Sequence, residues 1–403
     1  MSSREVVVTG VGVLTGYGRG LSVLSRGLHS NQGATAPLVA FDPAGLPIGE
    51  AAEFPEPLAE VPGLPDDRKG WLALEAVQDA LRSAGLNEAP EAGVYLGTGL
   101  SSVTPSELEV DVLAHLGDQG LDHDAVMRDV DPRRAAPRRH LPERVTAAVA
   151  DIAGARGPQY TSFSACAAGA QAIAEGARAV RRGDLEVALC GGHDSMIHPL
   201  GVLSFVVLGA LAAGPCRPFD RRRDGFVIGE GAAVLVLESA DSARRRGARP
   251  MARVLGSGTS VDAFQPTAPH AEGRGAILAM NRSLKDSGLS PSQISHVNAH
   301  GTGTPIGDAI EARAIAAVLG SEVPVSSIKG AVGHCIAAAG AVEAAACVAA
   351  LDEGWSPGTL GLEQPEDWPV QVRPEPLEDA PETILSNSFG FGGQNCALVF
   401  GRA

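Results

Sequence analysis

The sequence predicts a layered α/β fold, in which short buried strands alternate with alanine-rich helices. Several of the strand candidates are near-continuous apolar runs, which is typical of strands covered on both faces. The chain has 403 residues, beyond the size at which a single hydrophobic core keeps growing, so we expect two core units or one large layered domain. Its 50 glycines predict many tight turns and close backbone approaches.

Each strand is predicted from a short apolar run, and each helix from a longer stretch rich in alanine. The strand candidates, in chain order, are 6–9, 93–97, 187–190, 233–237, 295–299 and 397–400. The helix candidates are 71–83, 167–182, 274–287, 308–319 and 335–351. Gly183 and Gly354 follow two of these helices as C-terminal stops, and the order of the elements indicates helices layered on sheets.

Two segments interrupt this pattern. Residues 103–145 are polar and rich in Asp and Arg, so we interpret them as an excursion from the core. The arginine-rich stretch 244–250 is the best candidate for a hinge, which divides the chain into halves at 1–250 and 251–403. Each half contains strand-then-helix units of similar size, a pattern that an ancient duplication would produce.

Composition and charge exclude several classes of protein. A formal net charge of −15 argues against nucleic acid as a general partner. The six cysteines form no Cys-x-x-Cys pair, which indicates reduced thiols in a cytoplasmic protein. The N-terminus leads directly into a strand candidate and lacks the layout of a signal peptide. Glu343 interrupts the longest apolar run, which therefore predicts a buried helix rather than a membrane span.

Cys166 lies among small residues, immediately before a predicted helix. A helix N-terminus offers unpaired N–H groups and positive potential, which favour a thiolate, and small neighbours let an acyl chain approach the sulfur. The competing interpretation is a buried structural cysteine, which is what we expect of Cys190, Cys347 and Cys396. Taken alone, Cys166 favours that second interpretation.

His300 stands where a predicted strand enters a loop with the sequence His-Gly-Thr-Gly-Thr. Such a loop is suited to the floor of a cleft. The hydroxyls of Thr302 and Thr304 are suited to holding an extended polar ligand, such as an arm that contains amides. A histidine at the end of a strand is more often structural, so this motif needs the support of others.

Lys329 is notable because the chain has only three lysines among its 32 basic residues. An ammonium among apolar and small residues needs an anionic partner, and we predict Glu311 for that role. A solvated loop lysine is the ordinary alternative. His334 is predicted to open the alanine-rich helix that follows it, where the positive helix end favours a neutral, hydrogen-bond-donating imidazole.

The segment 389–395 is a glycine-rich turn that contains Phe389 and Phe391. Glycines let a backbone N–H approach a ligand closely, and the two rings are suited to a gate. The segment does not match a phosphate-binding loop, and the chain has no dinucleotide-binding fingerprint.

Taken together, these segments resemble the beta-ketoacyl-acyl carrier protein synthases, the thiolase-fold condensing enzymes. The resemblance is to the synthase-II-like type and to the ketosynthases of type II polyketide systems. In chain order the matching motifs are 7–12, Cys166 with its neighbours, 216–220, 224–231, 300–304, Lys329 with 333–334, and 387–393. The resemblance covers nearly the whole chain and implies a layered thiolase-like fold (α-β-α-β-α) built from two related halves.

The resemblance also implies a reaction, the decarboxylative Claisen condensation of an acyl chain with malonyl-acyl carrier protein. Cys166 would hold the acyl chain, and the backbone N–H groups of Cys166 and Phe391 would form the oxyanion hole. His300 and His334 would assist decarboxylation and stabilise the enolate oxygen. Phe391 would also be the gate between the acylation and condensation stages.

Supporting residues follow from the same resemblance. Lys329 and Glu311 would form the ion pair that orients the histidines. Thr302 and Thr304 would hold the phosphopantetheine arm, and Phe389 would contact the substrate. No metal or redox cofactor is required, because the substrates are carried on the phosphopantetheine of an acyl carrier protein.

Two features depart from the family's pattern. A glycine pair is replaced around Ser101 and Ser102, and Gln394 stands where threonine is common. Both departures lie near the expected acyl pocket or gate, so they bear on the length and type of the acyl chain.

An acidic carrier protein needs a local basic patch if it is to dock on this acidic chain. We predict that patch at Arg68 with Lys69, or at the arginines between 128 and 144. A solvated charged face is the alternative for each.

Two further interpretations stay open. One is a non-elongating, chain-length-factor-like subunit of the same fold, which would lack the cysteine. The other is a thiolase-fold acyltransferase that acts on coenzyme A thioesters. Cys166, His300 and His334 together favour the decarboxylating class. The family normally forms dimers, so we expect a homodimer or a heterodimer with a chain-length-factor-like subunit, and no nucleic-acid or membrane partner.

Overall fold

Two five-stranded sheets form the core of the computed structural model, which describes residues 4–61, 64, 67–99, 113–117, 120–129 and 141–403. The first sheet contains β1 (Val6–Thr15), β2 (Gly93–Thr98), β3 (Gln159–Ser162), β4 (Val187–Asp194) and β5 (Gly231–Ser239). The second sheet contains β6 (Ala252–Val261), β7 (His296–Asn298), β8 (Pro324–Ser326), β9 (Thr383–Gly390) and β10 (Gln394–Arg402).

The two sheets have the same topology. In each, the strands lie in the order third, second, fourth, fifth, first. The fifth strand is antiparallel to both neighbours, whereas the second is parallel to the third and fourth. Pairing of β1 with β6 joins the two five-stranded sheets into one continuous hydrogen-bonded sheet, which has twelve strands when two short ones are included. This repeated order confirms the prediction of two related halves.

Short strands lie outside this pattern. One two-residue strand extends the second sheet beyond β8, one pairs with β1, and the others form two small ladders. They are Gln371–Val372, Gly18–Arg19, Ala36–Pro37 with Glu50–Ala51, and Leu116–Gly117 with Gly120–Leu121.

The described helices cover the sheets in three layers. They are α1 (Leu21–His29), α2 (Arg68–Ser83), α3 (His123–Asp129), α4 (Glu143–Ile152), α5 (Ala168–Arg182), α6 (Pro199–Val207), α7 (Ala240–Arg245), α8 (Arg274–Ser287), α9 (Pro305–Leu319), α10 (Lys329–Val332) and α11 (Ala339–Glu353). Helices α5 and α11 pack together between the sheets, α2 lies outside the first sheet, and α8 lies outside the second. The layers therefore follow the predicted α-β-α-β-α order.

The central position of α11 explains its composition. Every residue from 339 to 351 is buried, so the helix has no polar face. The prediction that this apolar run is a core helix rather than a membrane span agrees with that burial. Among the residues that the structure describes, no helix is both long enough and apolar enough to cross a bilayer.

Several predicted elements differ from the observed ones at their ends, and four strands were missed. The first predicted strand, 6–9, is the start of a strand that continues to Thr15. Strands β3, β6, β8 and β9 were not predicted, because their sequences are short or rich in Gly, Ser and Thr. The segment 389–395, predicted as a turn, contains the end of β9, a 3₁₀ turn at Phe391–Gly393 and the start of β10.

A strained 3₁₀ turn leads into each central helix. The turn Ala165–Ala167 precedes α5, and the turn Ile336–Ala338 precedes α11. The first residue of each has a φ of 48°, in the left-handed region that side chains with a Cβ disfavour. The two turns occupy corresponding places in the two halves, and both lie at the candidate site.

Candidate active site

Cys166, His300 and His334 meet where the two halves face each other. The sulfur of Cys166 and a ring nitrogen of each histidine lie within 4.8 Å of one another. The two imidazole centroids are 5.4 Å apart, with the rings nearly perpendicular at 82°. Cys166 follows β3 in the first half, whereas the histidines follow β7 and β8 in the second. All three side chains are buried.

The turn around Cys166 is contacted by the end of β9. A Cβ atom on Gly390 would lie 3.1 Å from both the Cys166 nitrogen and the Ser164 oxygen, so a side chain there would push against the Cys166 turn, whereas glycine fits without a shift. The next residue, Phe391, directs its backbone N–H at the Cys166 thiol. The predicted oxyanion-hole groups are therefore adjacent.

Burial raises the pKa of the Cys166 thiol to about 12. The charge of Lys329 and the hydrogen bond from the Phe391 backbone oppose this rise without cancelling it. The prediction of a favoured thiolate was therefore wrong for the resting protein, because loss of water around the sulfur outweighs the helix N-terminus. The nucleophile rests as a neutral thiol.

The hydrogen bonds around the two histidines fix the same tautomer in both. Lys329 Nζ lies 3.3 Å from Nδ1 of His300 and donates to its carbonyl oxygen at 2.6 Å. An ammonium only donates, so this Nδ1 accepts and the proton lies on Nε2. Nδ1 of His334 accepts the backbone N–H of Ile336 at 3.2 Å, which places its proton on Nε2 as well. Both rings thus offer an Nε2–H donor.

Both histidines are held neutral. Burial is the main cause that lowers the pKa of each well below 6.5, and the charge of Lys329 adds to it. The neutral state of His334 agrees with the prediction, but its cause differs. The turn Ile336–Ala338 separates His334 from α11, which begins only at Ala339.

Lys329 pairs with Glu343, not with the predicted Glu311. The ammonium and the Glu343 carboxylate form an ion pair in which the side chains are only 1% and 2% exposed. The two oxygens of Glu311 instead accept the backbone N–H groups of His300 and Gly301, each at 2.8 Å. The predicted pair was wrong because the His300 loop occupies both oxygens of Glu311, which orients that loop through its backbone.

Sequence reasoning missed the role of Glu343, although a signal was present. Glu343 is the acid that interrupts the apolar run 335–351, and a buried carboxylate there requires a cation. Ser388 also donates to it, at 3.3 Å. A single carboxylate in the apolar run 335–351 and a lone lysine in the preceding segment could have predicted the pair.

A cavity of about 490 Å³ leads to the three reactive side chains. Thr302 and Thr304 line it with their hydroxyl oxygens 2.9 Å apart, and Phe389 and Phe391 line it beside Cys166. All of the predicted substrate-contacting residues therefore border one space. Gln394 is the first residue of β10, directly after the turn that carries Phe391.

The sulfur and two imidazoles are also a donor set of the type that binds zinc. A metal at Nε2 would require each proton to move to Nδ1. There it would face the ammonium of Lys329 or the N–H of Ile336, both of which already donate to Nδ1. The hydrogen bonds therefore fit hydrogen-bond donors better than metal ligands.

The first predicted docking patch is only partly exposed. Arg68 donates to Glu230 and to the Phe54 carbonyl, and Lys69 is only 8% exposed. Lys69 is therefore largely withdrawn from the surface, whereas the Arg68 side chain is 38% exposed, and the docking role of the pair stays a prediction. Of the second patch, Arg133, Arg134, Arg138 and Arg139 lie outside the described residues, as do Ser101 and Ser102.

Comparison with known proteins gives one consistent family. The family model "Beta-ketoacyl synthase, N-terminal domain" matches residues 3–243, and the corresponding C-terminal model matches 251–363. The 3-oxoacyl-[acyl-carrier-protein] synthase 2 of Synechocystis is 36% identical, over 99% of this chain and 98% of the relative.

Two solved structures are similar over the whole chain. The ishigamide ketosynthase/chain length factor has a TM-score of 0.89 and 32% identity, covering 100% of both chains. A type II polyketide synthase complex of AntDE with AntF has a TM-score of 0.87 and 26% identity, again over 100% of both chains. It is described as an acyl-carrier protein in complex with its ketosynthase.

The duplicated sheets and the thiol with two imidazoles define a thiolase-like condensing enzyme. The chain belongs to the beta-ketoacyl synthase family. The predicted reaction class, condensation of an acyl chain with malonyl-acyl carrier protein, is confirmed by that membership.

Replacing Lys329 with methionine should lower the free energy of unfolding by about 3–5 kcal/mol, because Glu343 would become a buried charge without its cation. The double variant K329M/E343L should recover most of that loss, since apolar side chains replace a buried ion pair at little cost. Both variants should lack condensation activity, because His300 loses its Nδ1 donor. Urea unfolding and product formation measure the two effects. Equal urea midpoints for the single and double variants would contradict the pairing.

Alkylation of Cys166 by iodoacetamide should accelerate with each rise in pH from about 7 to 9.5, because a pKa of about 12 leaves almost all of the sulfur as thiol. Mass spectrometry of the Cys166 peptide measures the rate, with free cysteine as the reference. An alkylation rate that stops rising at a lower pH than the rate for free cysteine would show that the thiolate of Cys166 is favoured.

Proposed function

We propose that Cys166 carries the acyl chain while His300 and His334 act on the malonyl unit, with both substrates delivered by acyl carrier protein. The observation that carries this proposal is the pair of Nε2–H donors beside one sulfur. An enolate needs such neutral donors, and a thioester exchange needs such a thiol.

In the first stage, the Cys166 sulfur bonds to the carbonyl carbon of the acyl thioester. The bond from that carbon to the carrier's sulfur breaks, and the thiol proton leaves with the departing sulfur. The backbone N–H groups of Cys166 and Phe391 stabilise the oxygen that becomes negative in the transition state. The product is an acyl-enzyme and a free carrier thiol.

In the second stage, the malonyl thioester loses carbon dioxide, and the electrons of the broken bond form an enolate. Its oxygen accepts hydrogen bonds from Nε2–H of His300 and of His334. The enolate carbon then bonds to the acyl carbon, the bond to Cys166 breaks, and the sulfur takes up a proton. The beta-ketoacyl product remains on the carrier.

Residues along the cavity have the supporting roles in this proposal. Thr302 and Thr304 hold the phosphopantetheine arm, since their paired hydroxyls line the approach to the sulfur. Phe391 gates the passage between the two stages, and Phe389 contacts the substrate. The complex of AntF with its ketosynthase supports an acyl carrier protein as the donor.

Incubation with acyl-carrier protein should add one acyl group to Cys166, detected by mass spectrometry and abolished in Cys166→Ala. Malonyl-dependent release of carbon dioxide should persist in Cys166→Ala and disappear in the double variant H300A/H334A. A chain that takes up no acyl group would be a non-elongating subunit. An adduct without carbon dioxide release, formed equally well from acyl-coenzyme A, would indicate the thiolase-like acyltransferase.

For the assembly, we propose that a second subunit of the same fold, identical or chain-length-factor-like, packs on the edge of β3. Within the described residues β3 pairs on one side only, with β2. Tyr160 in β3 and Phe163 directly after it are 39% and 53% exposed, and Cys166 follows three residues after Phe163. The ishigamide ketosynthase/chain length factor supports such a pairing.

Gln159→Pro should convert the assembly to single subunits. The Val94 N–H donates to the Pro158 oxygen, so alternation along the strand directs the Gln159 N–H away from β2, toward the free edge. Proline removes that donor without breaking the existing ladder. Native mass spectrometry measures the change, and Gln159→Thr is the matched control. An unchanged assembly in the proline variant would rule out this edge.

A further inference from the structure

We propose that Asp194 is a positioning residue for His334, which it holds from the opposite half of the chain through the turn Ile336–Ala338. Asp194 is not among the residues that line the cavity, so we assign it a positioning role rather than a catalytic one. The proposal rests on the proposed role of His334 as an Nε2–H donor.

The turn after His334 is strained and needs external restraint. Ile336 is β-branched and has a φ of 48°, a conformation that persists only where surrounding contacts enforce it. Two successive N–H groups of this turn are engaged. That of Ile336 donates to Nδ1 of His334 at 3.2 Å, and that of Ala337 donates to Oδ2 of Asp194 at 3.0 Å.

Asp194 is well placed to restrain that turn. It is the last residue of β4 and is fully buried, and its other oxygen accepts the Ser195 N–H at 3.0 Å. Gly99 leaves the space that the carboxylate occupies, since a Cβ at Gly99 would lie 2.1 Å from Oδ2. The carboxylate therefore has one fixed position.

The contact between Asp194 and the Ala337 N–H can be compared with the corresponding place in the other half of the chain. Gly390 ends β9 in the second half as Asp194 ends β4 in the first, and each lies against the middle N–H of the turn in the other half. Beside Cys166 the glycine leaves that N–H free for an oxyanion. Beside Ala337 the aspartate occupies it, so this second turn serves to hold His334 rather than to bind substrate.

Loss of the carboxylate should release the Ala337 N–H and let the strained turn relax. The Ile336 N–H would then no longer hold Nδ1 of His334, and the ring would lose its single tautomer. Decarboxylation, which uses Nε2–H, should therefore slow, whereas acyl transfer to Cys166 should not.

The test uses Asp194→Ala and Gly99→Ala in the full-length protein, since the second variant displaces the carboxylate without removing it. Decarboxylation of malonyl-carrier protein should fall about tenfold to a hundredfold in both, as expected of a displaced catalytic group. Acylation of Cys166 by mass spectrometry should stay within about twofold. Nitrogen-15 NMR of the histidines should show His334 change from one tautomer to a mixture.

Glu238→Gln is the matched control, because Glu238 is a buried carboxylate near the far end of β5, paired with Arg246. It should lose stability without separating the two half-reactions. Equal losses of both half-reactions in the Asp194 and Gly99 variants, or normal decarboxylation in either, would overturn the proposal. His334→Ala is measured alongside: if it decarboxylates normally, the proposed function of His334 fails instead.

Discussion

The ammonium of Lys329, buried between the two reactive histidines and α11, is the interaction on which the site depends. It is neutralised by Glu343 and holds His300 through both the ring and the carbonyl oxygen. Its charge lowers the pKa values of His300 and His334 and opposes the rise in the pKa of Cys166. Its charge therefore adds to the burial that keeps both imidazoles neutral, and it partly offsets the burial that keeps the Cys166 thiol protonated.

The duplicated architecture supplies that cation and its targets from different halves. In the first half the third strand leads to Cys166, and in the second half the second and third strands lead to His300 and to the segment that carries Lys329 and His334. The first half contributes the thiol, and the second contributes the imidazoles, the ammonium and its carboxylate. Neither half holds a complete site, so the packing of the two central helices fixes the distances on which the chemistry depends.

The sequence predicted the fold class and the convergence of Cys166, His300 and His334, because the motifs carry those residues in a specific order and spacing. The predicted partner of Lys329, Glu311, was wrong, and the partner is Glu343. Both acids are close to the lysine in the fold. The backbone N–H groups of the His300 loop occupy the oxygens of Glu311, and such tertiary hydrogen bonds cannot be read from the sequence.

The protonation state of the Cys166 thiol also could not be predicted from the sequence. A helix N-terminus is visible as a pattern, whereas the burial that raises the pKa of Cys166 comes from segments distant along the chain. Strand β9 was missed for a related reason. Its residues are polar in part, and their burial follows from α11 on one face and β10 alongside, not from local hydrophobicity.

The scarcity of lysine has a consequence for a protein that handles activated acyl groups. Thioesters acylate amines as well as thiols, whereas a guanidinium is too weakly nucleophilic to react. Lys69 and Lys329 are buried, which leaves Lys285 as the exposed lysine of the chain. A surface whose positive charge is almost entirely arginine offers very few side chains to adventitious acylation by its own substrates.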